Sequence, residues 1–155
     1  MPKIDIATIP EQRASGYPKP FDELVKGRFR KRLGNAGGLT QFGVNLCRLE
    51  PGSASSQRHW HTTEDELVYM LQGEAVLIED DGETVLHAGD AATFKAGSRN
   101  GHHIVNRSDR DVLLLEIGTR SEADCGEYPD IDLKFVYEND VDRYLHKDGT
   151  PYPGS

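Results

Sequence analysis

Residues 66–90 read ELVYMLQGEAVLIEDDGETVLHAGD, and this stretch decides the fold. Two runs rich in apolar and β-branched residues, Glu66–Leu71 and Glu74–Glu79, flank Gly73 as strands flank a tight turn. Asp81-Gly82 is a hairpin signal, Glu83–His87 is a third short run, and Gly89-Asp90 turns the chain into Ala91–Lys95. The same texture continues on both sides. Upstream, Leu39–Leu49 alternates through Phe42, Val44 and Leu46, a period of two, and ends at a Pro51-Gly52 turn. Downstream, His102–Asn106 and Asp111–Thr119 close the series. Seven or more short strands at even spacing, with no long stretch of helical period, predict an all-β barrel or sandwich.

The flanks read differently. Residues 1–38 are punctuated by Pro, Lys and Gly and read as an N-terminal arm. Its basic run, Lys26, Arg28, Arg30, Lys31 and Arg32, reads as a solvated face of that arm rather than a nucleic-acid surface. Tyr17, Phe21, Leu24, Val25 and Phe29 are too few for a core of their own, so the arm is expected to cover a second subunit in a homodimer. Residues 39–118 form the barrel. Residues 119–155 read as an irregular extension with one short helix near Glu138–His146. The whole chain of 155 residues suits one domain. With 18 Lys+Arg against 26 Asp+Glu, its net charge of −8 argues against nucleic acid or an anionic membrane as partner. MPKIDIATIPEQR has no apolar leader core and no run is long enough to span a bilayer, so the cytoplasm is the expected location. Two cysteines, Cys47 and Cys125, make no disulfide framework and read as free thiols.

The chemistry gathers between Gly52 and Gly73, GSASSQRHWHTTEDELVYMLQG. On an extended chain His59 and His61, two apart, project to the same side. Glu66 returns beside them at the start of the next strand. Two imidazoles and a carboxylate make half of a metal site, one that suits Zn, Fe, Mn, Ni or Cu. With Glu66 inward, Val68 and Met70 are inward too, and Tyr69 is outward. Trp60, between the two histidines, reads as packing between sheets or subunits. Glu64 and Asp65 read as turn residues or as a carboxylate base outside the ligand set. Arg99 is a candidate contact for an anionic substrate.

These residues resemble the cupin superfamily. Its first motif, G-x5-H-x-H-x3,4-E-x6-G, is matched by Gly52, His59, His61, Glu66 and Gly73, with one extra residue after Gly52. Its second, G-x5-P-x-G-x2-H-x3-N, is matched by Gly89, Gly97, His102 and Asn106, with Lys95 in place of Pro and two extra residues before His102. Longer stretches are similar to a bacterial single-domain (type 2) subgroup, some of whose members are labelled sugar-phosphate isomerases. The resemblance implies a jelly-roll barrel, the double-stranded β-helix, over 39–118. It also implies that His59, His61, Glu66 and His102 hold one divalent transition metal (Zn, Fe, Mn or Ni), with His103 facing the other way.

Two functions follow from this. One is a metal-dependent enzyme, an isomerase or dioxygenase acting on a small polar metabolite. The other is a non-catalytic module that binds a metal or metabolite. The sequence carries no phosphate-binding P-loop, no serine-nucleophile motif and no CxxC.

Overall fold

The computed structural model describes residues 2–13 and 15–153. Its strands are β1 (Arg28–Arg32), β2 (Phe42–Leu49), β3 (Glu66–Gln72), β4 (Glu74–Glu79), β5 (Gly82–His87), β6 (Ala91–Phe94), β7 (His103–Val105), β8 (Val112–Thr119), β9 (Ala123–Tyr128), β10 (Leu133–Glu138) and β11 (Val141–Leu145). A five-stranded sheet runs β1-β2-β8-β3-β6, and a three-stranded sheet runs β5-β4-β7. All the pairings are antiparallel. The two sheets are joined at Gly73, which passes the chain from β3 to β4 at φ 87. A Cβ there would lie 3.1 Å from Val112 Cγ2 and 3.2 Å from the Asp111 carbonyl, so only glycine makes this corner.

Alternation along each strand puts Val68 and Met70 of β3, Val112 and Leu114 of β8, Cys47 and Leu49 of β2, Ala75 and Leu77 of β4, Leu86 and Ile104 into one core. Met70, Leu49, Leu114 and Val112 are fully buried, and truncating any of the large ones to alanine costs about 2–5 kcal/mol. Asn106 is also fully buried, with its hydrogen-bonding capacity spent locally. Its Nδ2 donates to the Leu49 and Arg110 carbonyls, and its Oδ1 accepts from Ser108. It anchors the loop that leads β7 into β8.

Two expectations for the flanks are corrected. First, the basic run is a solvated face only at Lys26 and Arg32, which are exposed, and not at Arg28 and Arg30. It is β1, paired with β2 so that Arg28, Arg30 and Arg32 lie opposite Leu49, Cys47 and Asn45. The period-two pattern RFRKR puts the three arginines on one side of the strand, Arg28 buried, Arg30 half-buried and Arg32 exposed at the cavity edge. Arg28 is only 6% exposed, with Nη1 donating to the Ser55 carbonyl, and Arg30 makes a two-pronged ion pair with Glu116 on β8.

Second, the stretch read as irregular after residue 119 carries a third antiparallel sheet, β11-β10-β9. The short helix near Glu138–His146 is absent; that segment is β11 with the turn before it. The reason is local. Asn139 and Asp140 both take positive φ, 54 and 61, and connect Glu138 to Val141 as a two-residue hairpin. The arm's apolar residues also make contacts within their own chain, though Tyr17, Phe21, Leu24 and Phe29 stay only half-buried. Val25 is 2% exposed. Tyr17 packs between Tyr128 and Tyr144, and Phe21 against Tyr152.

Candidate metal centre

The extended segment around His59–Thr62 belongs to no long strand, yet it is pinned on two sides. His59 exchanges both backbone hydrogen bonds with His102, at 3.2 and 2.8 Å. Trp60 N and Thr62 N donate to the carbonyls of Glu127 and Cys125 on β9. His59 and His61 thereby face one interior, as their spacing predicts. The ligand atoms of His59, His61 and Glu66 lie within 4.8 Å of one another. His102 joins through Glu66, its Nε2 lying 2.7 Å from Glu66 Oε2, and its ring stacks on Phe94 at 3.5 Å. His103 faces away, and its Nδ1 donates to the Ser56 carbonyl.

The tautomers follow from the partners. His59 Nδ1 lies 3.0 Å from the Gln57 carbonyl, which can only accept, and 3.2 Å from Ser56 Oγ, which can accept as well as donate. His61 Nδ1 lies 2.5 Å from Asp124 Oδ2. Both rings therefore carry a proton on Nδ1, and their Nε2 atoms face each other 3.0 Å apart. Two Nε2 atoms at this distance share a proton, which the raised pKa of His61 favours, or take a metal cation between them. Nitrogen ligands at right angles and about 2.1 Å from a metal are themselves about 3.0 Å apart. Glu66 Oε2 lies 3.7 and 3.4 Å from the same two nitrogens, so this donor set fits a transition metal.

Electrostatics agree with the geometry. Burial pushes the His59 imidazole down to about 3, which keeps it neutral. Burial alone would raise Glu66, but the hydrogen bond from His102 and the surrounding imidazoles outweigh it and hold the carboxylate at about 2. Burial also opposes the charged form of His61, yet Asp124 and Glu66 win and raise it.

Asp124 is the residue that sequence reading missed. Its side chain is 2% exposed on β9, and it also accepts from Thr63 N and Oγ1 at 2.8 Å each. A carboxylate on the far ring nitrogen fixes a ligand histidine's tautomer and raises its basicity. Only the hairpin signal around it could have pointed there. Glu64, read as a turn residue or a base, accepts from Ser121 N and Oγ, and its carboxylate lies within 4.8 Å of His61 and Asp124 ligand atoms. Asp65 is a turn acceptor for Ala96 N. Arg99 lies over the Trp60 ring at 5.6 Å, and Trp60 itself lines a cavity of about 230 Å³ with His61, Glu66, Lys95 and His102. Trp60 is therefore a wall of the site and not merely a packing residue. A larger cavity of about 510 Å³ contains His59, Glu66, His102, Glu64 and the three β1 arginines. That volume is of the size that small ligands occupy.

Two facing antiparallel sheets, with a histidine pair and a carboxylate on their inner wall, define a jelly-roll barrel with a ligand centre. The cupin-domain profile matches residues 45–118. A crystal structure of a sugar phosphate isomerase of the cupin superfamily from Silicibacter pomeroyi is 42% identical, covers 99% of this chain and 98% of its own, and superposes with a TM-score of 0.94. The chain belongs to the cupin superfamily. A candidate sugar phosphate isomerase from Acidithiobacillus ferrooxidans is 28% identical over 84% of each chain, with a TM-score of 0.74. Beta-D-galactosidase Rv1717 of Mycobacterium tuberculosis is 37% identical over 81 residues, which span 52% of this chain and 66%, just under two thirds, of that protein. No helix among the described residues is long and apolar enough to cross a membrane.

Proposed function

We propose that this chain binds one divalent transition metal through His59, His61, Glu66 and His102 and acts on a small polyhydroxy metabolite of the sugar-phosphate class. The observation that carries this reading is the pair of Nε2 atoms 3.0 Å apart, with Glu66 beside them, on the wall of a cavity large enough for a sugar. The relatives' names, two of them sugar phosphate isomerases, supply the substrate class. Bound there, a divalent metal supplies polarisation of a carbonyl or hydroxyl oxygen. The chain's own residues do the rest. Asp124 and the Gln57 carbonyl hold the two imidazoles in their tautomers. Glu64, fixed by Ser121 beside His61, is the carboxylate placed to carry a proton. Phe94 and Trp60 limit water around the centre.

The test starts with elemental analysis of protein purified without a histidine tag, followed by aldose–ketose interconversion of sugar phosphates read by NMR. Stoichiometric metal and turnover that a chelator abolishes support the proposal. Wild-type protein that takes up no divalent metal overturns it.

A cytoplasmic location and a homodimer complete the proposal. What supports the homodimer is the outer face of the five-stranded sheet, where Val44, Ile117 and Leu67 form one cross-strand row and Leu46, Leu115 and Tyr69 the next. Tyr69, Leu71 and Phe42 on this face are 40–41% exposed. So wide an apolar patch marks an association surface. A monomer mass by light scattering at micromolar concentration would overturn it.

A further inference from the structure

Gly43 and Gly118 lie directly opposite each other in the β2–β8 ladder, and both line the larger cavity. Neither has a positive φ. A Cβ on Gly43 would meet its nearest atoms, Nε and Nη2 of Arg120, at 3.7 Å. A Cβ on Gly118 would lie 3.6 Å from the Asp65 carbonyl and 3.7 Å from Glu66 Cγ. These are ordinary contact distances, so alanine fits at both positions. Glycine weakens a strand interior and there often marks the close approach of a ligand. Here two adjacent strands carry it side by side, where neither backbone nor packing demands it. What the pair shares is the space above it, a bare floor with Glu66 at one end and the Arg120 guanidinium at the other. The neighbour distances and the usual cross-strand spacing make that floor roughly 10–12 Å long.

The far end is built for an oxyanion. Arg120 is held flat, Nη1 donating to the Leu39 carbonyl at 2.8 Å and Nη2 donating to Asn35 Oδ1. Arg32 is on the same wall, two residues beyond the paired Arg30. Among the described residues its guanidinium has no hydrogen-bond or ion-pair partner, and it lines both cavities that contain His59 and Glu64. Arg32 and Arg120 line the same two cavities, and an unpaired guanidinium sharing a cavity with one locked in orientation offers the forked donors that phosphate and carboxylate accept.

We propose that the Gly43–Gly118 floor holds the carbon chain of an oxyanion-bearing ligand, with Arg32 and Arg120 taking the anion and the other end lying at Glu66. This deepens the reading of the site as one for sugar phosphates and rests on it for the Glu66 end. The oxyanion end stands on Arg32 and Arg120 alone.

The experiment titrates inorganic phosphate, malonate and glycerol 3-phosphate into metal-free and metal-supplemented protein by calorimetry, for wild type, Arg32→Gln, Arg120→Gln and Gly118→Ala. Bound metal and melting temperature are measured in parallel. Phosphate should bind wild type, weaken at least tenfold in Arg32→Gln and be unchanged in Gly118→Ala. Glycerol 3-phosphate should bind at least tenfold more tightly than phosphate, and Gly118→Ala should erase that advantage with no fall in melting temperature. Tighter binding of malonate than phosphate, lost in Arg32→Gln, supports the same subsite with a carboxylate as its anion. If phosphate and malonate binding survive in both Arg32→Gln and Arg120→Gln, the anion end is overturned. If glycerol 3-phosphate keeps its advantage in Gly118→Ala, the floor is overturned. Protein that takes up no metal but binds phosphate through Arg32 refutes the metal reading and supports the subsite.

Discussion

Replacing Asp124 by asparagine tests the centre at its least obvious residue. The carboxylate has no water to fall back on, since its side chain is 2% exposed. Oδ2 takes the proton of His61 Nδ1 at 2.5 Å, and Oδ1 takes those of Thr63 N and Oγ1 at 2.8 Å. Burial raises this acid's pKa, but the bonds from His61 and Thr63 outweigh burial and lower it. An asparagine has one acceptor oxygen for these two tasks. If the oxygen faces Thr63, the amide NH2 donates to His61 Nδ1, and the imidazole proton moves to Nε2, the atom meant for the metal. If the oxygen faces His61, the amide NH2 donates to Thr63 Oγ1, whose own hydrogen goes to the Ala123 carbonyl, but the bond from Thr63 N–H is lost. The first arrangement blocks a ligand, and the second leaves a buried donor unmet at a cost of about 1–3 kcal/mol. Removing such an orienting carboxylate typically weakens a metal about 10–100-fold, or roughly 1.4–2.7 kcal/mol. Competition against a chromophoric chelator reads the affinity, and urea denaturation of the metal-free protein reads the stability. Affinity within twofold of wild type, whatever the stability, would refute the argument, because it would reduce Asp124 to a brace for the loop at Thr63.

His102→Ala should release or strongly weaken the metal while His103→Ala keeps it, measured as bound metal per chain, because only His102 reaches Glu66; the reverse result means the register through the loop before β7 is wrong by one. Glu116→Ala strands the Arg30 guanidinium in a wall where its side chain is 26% exposed, and should cost about 2–4 kcal/mol by urea denaturation. The double change Arg30→Met with Glu116→Leu should recover most of that loss, since it removes both charges together. Asp130 has its pKa lowered by the forked hydrogen bond from Arg58. A depressed carboxylate stabilises the fold above its unfolded value and loses that contribution as pH falls through the folded value. Asp130→Asn should therefore lower the urea midpoint at pH 7 and leave it unchanged near pH 2. A difference that persists in acid would assign the effect to packing. The change is small in any case, because Asp130 is 60% exposed.

The parts of the fold legible in the sequence were those whose signal is local. Gly73, Gly82 and Gly89 bound runs that alternate, so the four strands β3–β6 can be read directly from residues 66–94, though not their division between two sheets. His59, His61 and Glu66 are legible for the same reason, since their facing follows from spacing alone. Asp124 sits more than sixty positions from His61 in the chain, on a strand held between β10 and the backbone of Trp60 and Thr62. Its partner could not be found by spacing. The Asn139-Asp140 turn is a local but ambiguous signal, because both residues are also common in helix-flanking loops; their positive φ decides the matter. The arginines of β1 misled for a deeper reason. Basic runs are ordinarily solvated, and only the register against β2 reveals that alternate members point into a barrel.

That inward row also separates what holds the barrel from what it holds. Reading across the sheet, the row of Leu49 and Val112 and the row of Cys47, Leu114 and Met70 are fully buried and apolar. One row nearer the centre come Asn45, Glu116 and Val68, and then Gly43, Gly118 and Glu66. Polarity rises and side-chain volume falls along one sheet within two pairs of residues. Burying Arg30 with Glu116 in place of two hydrophobes gains little stability, and glycines in strands reduce it. A barrel selected for stability alone would continue the apolar rows to its rim. The inner wall gives up that stability only on the side that faces His59, His61 and Glu66, which is where a polar ligand would have to be oriented. The arginine row, the glycine pair and the histidine cluster are therefore parts of one site.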